Sequence, residues 1–180
     1  MKELFFATGN KNKVLEVEKI LNFKIIQFDV DLLEIQSINV EEVVKHKIIE
    51  AYNIIKKPVL VEDTALSIVA WNNLPGALIK YFIQSVGNDG FIKMLNDFEN
   101  KTAIAKTSLA YFDGKNLIIK TGEIKGCISD KITGSNGFGW DNIFIPDNNK
   151  KTFAEMDYEE KNLFSMRRIA LESLIPFIPI

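Results

Sequence analysis

Two adjacent carboxylates, Glu62 and Asp63, follow the short apolar run from Pro58 to Val61 and precede Thr64. Carboxylates at the carboxyl end of a strand in an α/β sheet stand where ligands usually bind. Side chains alternate along a strand, so the two point in different directions. One can then hold Mg²⁺ through oxygen while the other orders or deprotonates a water. An Asx turn opening the next segment is the alternative use of Asp63. Glu34, in Leu32-Leu33-Glu34-Ile35, follows another apolar run and can supply a second metal oxygen.

Three further groups of residues have the chemistry of nucleotide binding. Thr8-Gly9-Asn10-Lys11-Asn12-Lys13 sits where a strand feeds a helix, and there free backbone N–H groups and the helix dipole favour an anion. The segment is neither a P-loop nor GxGxxG, and Asn10 or Asn12 can equally cap the helix while the lysines stay solvated. Lys47 falls within the apolar stripe of Val44, Ile48, Ala51 and Ile55, so its ammonium must snorkel or point into a cleft. Arg167 lies at helical spacing among Leu163, Phe164, Ala170, Leu171 and Leu174, and a guanidinium there needs either a structural carboxylate or a ligand's oxygens. Lys161 lines the flank of the same stretch. Phe138-Gly139-Trp140-Asp141 can stack a base, an interaction of ~1–3 kcal/mol, with Asp141 accepting its N–H groups; the same aromatics can instead cover a core edge.

These residues need a frame to bring them together. Leu4 to Thr8 reads as a strand, Lys11 to Leu21 as a helix, Lys24 to Val30 as a strand, Asn39 to Lys56 as a helix and Pro58 to Glu62 as a third strand. Leu74-Pro75-Gly76 breaks the chain before helices near Ala77–Gln84 and Phe91–Phe98, with Gly87 and Gly90 between them. Thr102 to Phe112 and Asn116 to Lys125 flank Asp113-Gly114-Lys115, a hairpin signal. Residues 126 to 151 read as irregular, and Tyr158 to Ile175 as one closing helix. The order βαβα followed by a hairpin predicts a single α/β domain with a mixed sheet.

Composition bounds the function. With 180 residues, 47% hydrophobic and 26% charged, the chain has ample material for one core. A formal net charge of -2 supplies no global basic field, which argues against nucleic acid as a partner. The single cysteine, Cys127, leaves no internal disulfide and is read as structural. No run approaches ~18 apolar residues and the N-terminal apolar run is too short for a signal peptide, so no membrane is expected and a cytoplasmic location is.

Together the segments resemble the inosine triphosphate pyrophosphatase family. The matching pieces are Thr8-Gly9-Asn10 with Lys13, Asp31-Leu32-Leu33-Glu34, Val61-Glu62-Asp63-Thr64, Leu74-Pro75-Gly76, Phe138-Gly139-Trp140-Asp141, Phe153-Ala154-Glu155-Met156 and Glu160-Lys161-Asn162, in family order over nearly the whole chain. The resemblance implies a mixed, strongly twisted sheet with flanking helices, two lobes around a central nucleotide groove, and a homodimer. It also implies Mg²⁺-assisted hydrolysis of non-canonical purine triphosphates (ITP, dITP, XTP) to monophosphate and pyrophosphate. Carried over by position, Thr8, Gly9, Asn10, Lys13 and Lys47 hold phosphates, Glu34 and Asp63 serve metal and water, and Glu62 assists. Phe138, Gly139, Trp140, Asp141, Lys161 and Arg167 surround the base. The chain reads Ser165-Met166-Arg167 where the family usually reads Ser-His-Arg, which predicts weakened discrimination against adenine. A pyrophosphatase for other modified nucleotides is one alternative. Another is a non-catalytic nucleotide-binding protein, which would not need Glu34 and Asp63.

Overall fold

The computed structural model describes residues 3–178. Its seven strands are β1 (Phe5–Ala7), β2 (Ile26–Phe28), β3 (Val59–Ile68), β4 (Pro75–Gly76), β5 (Thr102–Phe112), β6 (Leu117–Ile128) and β7 (Phe144–Pro146). Five helices accompany them: α1 (Lys11–Leu21), α2 (Val40–Ile55), α3 (Ile79–Met94), α4 (Tyr158–Leu163) and α5 (Met166–Leu174). The strands form one sheet in the order β2-β1-β3-β5-β6-β7, with β4 also paired to β3. Helical crossovers make β2, β1 and β3 parallel, while the hairpin at Gly114, φ +95°, makes β5 and β6 antiparallel. The result is the mixed α/β sheet expected from the element order.

Alternation along β3 divides the packing. Val59 and Val61 face α2, against Val44, Ile48 and Ala51. Leu60 faces the other way, against Val14 and Val17 of α1 and Ala170, Leu171 and Leu174 of α5. A third cluster takes the far end of the strand, where Leu66 and Ile68 pack with Phe91, Leu95, Phe144 and Phe153. The polar stretch Glu62–Thr64 lies between these clusters, at the middle of the sheet.

Four expectations need correction. β3 does not stop at Glu62 but runs on to Ile68, in unbroken register with β5 from Val59↔Phe112 to Ile68↔Ala103. The paired carboxylates are therefore mid-strand, and Asp63 opens no Asx turn. The closing helix is two helices, because the Ser165 hydroxyl accepts from the Arg168 N–H at 3.2 Å and starts α5 anew. Leu163 is consequently 74% exposed and does not share a stripe with Arg167. The helices expected near 77–84 and 91–98 are the two halves of α3, which is interrupted at Gly87, φ +66°. In addition, residues 126–151 are not wholly irregular, since β6 extends to Ile128 and β7 pairs with it.

The approach of α5 to β6 requires glycine at 122. A Cβ there would overlap the Met166 carbonyl oxygen and lie 2.7 Å from the Ala170 nitrogen. Gly122→Ala is expected to push α5 off the sheet and lower stability by ~1–3 kcal/mol or more. A urea midpoint that falls with unchanged slope is the expected result; an unchanged midpoint would show that the helix can yield.

Candidate active site

The polar middle of β3 opens into a cleft of about 1170 Å³ that runs from the β1–α1 turn to the Phe138–Asp141 loop. Each predicted site residue lines it, whereas Lys11 does not. Thr8 Oγ1 accepts from the Asn10 N–H at 3.1 Å, and Asn10 Oδ1 accepts from the N–H groups of Asn12 and Lys13 at 2.9 and 3.4 Å. Asn10 thus caps α1, the local alternative considered for it, while its turn still borders the cleft. A Cβ at Gly9 would sit 2.9 Å from Asp29 Oδ1, so a side chain there would require Asp29 to turn aside.

Alternation sends the two carboxylates to opposite faces, where different cations meet them. Asp63 faces α2: Lys47 Nζ lies 3.9 Å from Asp63 Oδ1 and 2.9 Å from Glu34 Oε1. Lys47, only 9% exposed, therefore points into the cleft from within its apolar stripe. Glu62 faces α5. Arg167 Nε and Nη2 donate to its two oxygens at 2.7 and 2.8 Å, and Lys13 Nζ lies 3.2 Å away. Both Glu62 and Arg167 are 2% exposed.

These settings separate the two acids. Burial would raise the Glu62 pKa, but the charges of Arg167 and Lys13 outweigh it and hold the group at about 2. For Asp63 burial wins over Lys47 and Lys13, aided by repulsion from Glu34, and its pKa is raised above the ordinary 3.8. Glu34 is the reverse case: burial is outweighed by Lys47 and Lys80, and its pKa is lowered. Glu62 is a fixed anion, whereas Asp63 is the carboxylate best disposed to take a proton.

At the other end, Trp140 is 7% exposed and packs on Phe144 and Phe153 with centroid distances of 5.5 and 6.4 Å, so most of its ring covers a core edge. Phe138 is half-buried, with Lys161 Nζ and the Arg167 guanidinium 5.3 and 5.8 Å from its ring centre. Asp141 Oδ2 accepts from the Phe138 N–H and from Lys161, each at 2.8 Å. Met166 is buried in the cluster that includes Trp140 and also borders the cleft.

Two residues escaped the sequence reading. Glu16 accepts from Arg167 Nη1 and lies 3.4 Å from Lys161 Nζ. Its signal was present, one turn beyond Lys13 on the same helix face. Lys80, 3.6 Å from Glu34 Oε2, reaches the cleft from α3. Nothing in its local sequence marks it, because only the tertiary fold brings α3 over Glu34. The lining includes five cations (Lys13, Lys47, Lys80, Lys161, Arg167) and seven carboxylates (Asp29, Asp31, Glu34, Glu50, Glu62, Asp63, Asp141). Among the described residues, the cleft's cations are already engaged by carboxylates, and acid groups are in excess.

Residues 4–177 match the Ham1 family. The chain is 42% identical to the inosine triphosphate pyrophosphatase of Kluyveromyces lactis, over 98% of this chain and 95% of that protein. It is 36% identical to the dITP/XTP pyrophosphatase of Hyperthermus butylicus, over 95% and 92%. Among solved structures, a HAM1 protein from Coxiella burnetii superposes with a TM-score of 0.87 at 27% identity, covering 98% of each chain.

The Glu62 setting has a pH consequence. Its folded pKa of about 2 lies below the ordinary 4.5, so the unfolded chain takes up the proton first as pH falls. The stabilisation is complete above pH 4.5 and is lost as pH drops toward 2, a change on the order of 3 kcal/mol. Stability measured by denaturant titration across that window should fall less steeply for Glu62→Gln than for the wild type. Equal slopes would remove Glu62 from this role.

Proposed function

The chain belongs to the Ham1 family, and from that premise we propose that its cleft hydrolyses non-canonical purine nucleoside triphosphates such as ITP, dITP and XTP to monophosphate and pyrophosphate. The observation that carries this reading is geometric: Glu34 and Asp63 stand together at Lys47, between a lysine-rich end and an aromatic end of one cleft. A protein that only bound nucleotides would not need these two carboxylates among its lysines.

The roles follow from the charges. Lys13, Lys47 and Lys80 exchange carboxylate partners for phosphate oxygens, and the β1–α1 turn lies beside them. Asp63 takes one proton from a water whose oxygen bonds to the α-phosphorus. The bond from that phosphorus to the bridging oxygen breaks, and its electrons leave with pyrophosphate. Such a base contributes ~10²–10⁴ in rate. Glu62, the second carboxylate expected to assist catalysis, is assigned instead to holding Arg167.

Mg²⁺ is proposed as the cofactor, held by Glu34 and Asp63. Both offer hard oxygens within 4 Å of Lys47 Nζ, and no group of three metal-binding side chains stands together among the described residues. That donor set suits Mg²⁺, which commonly keeps waters and takes one or two carboxylates with substrate phosphates. When bound, it would offset phosphate charge that the acid-rich cleft cannot.

Base recognition falls to Phe138, Asp141, Lys161 and Arg167. The guanidinium has five N–H donors, of which Glu62 and Glu16 engage three. The remaining two can meet a 6-oxo group, whereas the 6-amino group of adenine offers a donor there. Met166 adds no hydrogen bond, so selectivity is expected to be partial. A homodimer is proposed from the resemblance alone and a cytoplasmic location from the sequence pattern; no helix among the described residues is long and apolar enough to cross a membrane.

Two measurements test the proposal. With Mg²⁺ and pyrophosphate detection, ITP and XTP should turn over fastest and ATP more slowly by roughly 10–100-fold, with chelation abolishing all activity. Equal rates for ITP, XTP, GTP and ATP would show that Arg167 does not discriminate. Asp63→Asn, assayed at saturating Mg²⁺, should lower kcat by ~10²–10⁴, far more than it changes nucleotide binding. It should also raise the melting temperature at pH 7, because a raised folded pKa means that ionised Asp63 opposes folding above that pKa. Retained turnover would take Asp63 out of the chemistry.

A further inference from the structure

Asn88 follows directly on the break in α3 and does something unusual with its side chain. Gly87 has φ +66° and ψ 175°, and a Cβ added to it would meet nothing within 4 Å. Glycine is needed there for backbone direction, not for space. Gly87, the non-helical residue, takes the cap position, which leaves Asn88 as the first residue of the restarted helix with no capping role for its side chain. Its Nδ2 instead donates to the Gly139 carbonyl at 2.8 Å and to Asn142 Oδ1 at 2.7 Å, and its own Oδ1 is buried without a partner. Turning the amide round would set an oxygen against two acceptors, so the orientation is fixed by chemistry.

The bond lands on the part of the loop least held otherwise. Asp141 ties the loop to Phe138 and Lys161, and Asn136 ties it to Met156, whereas Gly139, φ +65°, has no neighbour within 4 Å of where its Cβ would be. The same helix carries Lys80 to Glu34 at the opposite end of the cleft. α3 therefore touches both ends of the cleft, Lys80 from the segment before Gly87 and Asn88 from the segment after it, and Asn88 is its attachment at the loop.

We propose that Asn88 is a positioning residue for the base: by holding the Gly139 carbonyl it fixes Phe138 and Trp140 on either side, and so sets affinity for the nucleoside but not for the phosphates. The kinetic part rests on the proposed pyrophosphatase reading. The test uses a Trp71→Phe parent, which leaves Trp140 as the only tryptophan of the two in the chain. Asn88→Ala should raise KM for ITP by about tenfold, the fold-change of one hydrogen bond, with kcat little altered. Asn88→Asp, which keeps the shape but turns oxygens toward both acceptors, should be at least as severe. Acrylamide quenching of Trp140 should increase in both variants, while inhibition by inorganic tripolyphosphate, which has no base, stays as in the parent. An unchanged KM in both variants, or tripolyphosphate inhibition weakening in step with KM, overturns the proposal. If the parent does not hydrolyse ITP, the pyrophosphatase reading fails, and the quenching alone decides the loop claim: unchanged quenching overturns it and increased quenching upholds it.

Discussion

The ion pair between Glu62 and Arg167 is the constraint on which the rest of the cleft depends. It withdraws both charges from water, which is costly, and recovers the loss through bidentate geometry and the further contacts of Lys13 and Glu16. It fastens α5 to the middle strand of the sheet and keeps Glu62 ionised. With Glu62 committed, Asp63 is left as the acid whose protonation can change.

The division between these neighbours is a product of strand geometry. Period-two alternation sends Glu62 toward α1 and α5 and Asp63 toward α2, and each helix presents a different cation. The hydrophobic clusters stop short of residues 62–64 on both sides, so the polar segment lies at the open middle of the sheet rather than at its edge. The cleft's cations are each paired with carboxylates, and its acid groups outnumber them.

Much of this was legible in the sequence because the signals were local. Gly114 in a hairpin, the strand–turn–helix at Thr8–Lys13 and the buried lysine in the stripe of α2 each follow from residue type and spacing. Arg167 was recognised as needing a partner, but not which one, since Glu62 lies 105 positions away and only the packing of α5 on β3 joins them. The length of β3 was missed because Glu62-Asp63-Thr64 has the polarity of a turn; ten consecutive pairings with β5 override that preference. The break at Ser165 was likewise hidden within an apolar pattern that continued across it. Trp140 shows the remaining limit, because covering a core edge and bordering a cleft require the same residue type.

The central claim is that two adjacent carboxylates have been given opposite proton affinities. The direct measurement is a carbon-detected NMR titration of the folded protein with side-chain carboxyl labels on aspartate and glutamate. Asp63 should titrate above 3.8 and Glu62 should stay ionised down to about pH 2. Glu62 titrating at or above 4.5, or Asp63 below 3.8, would contradict the account.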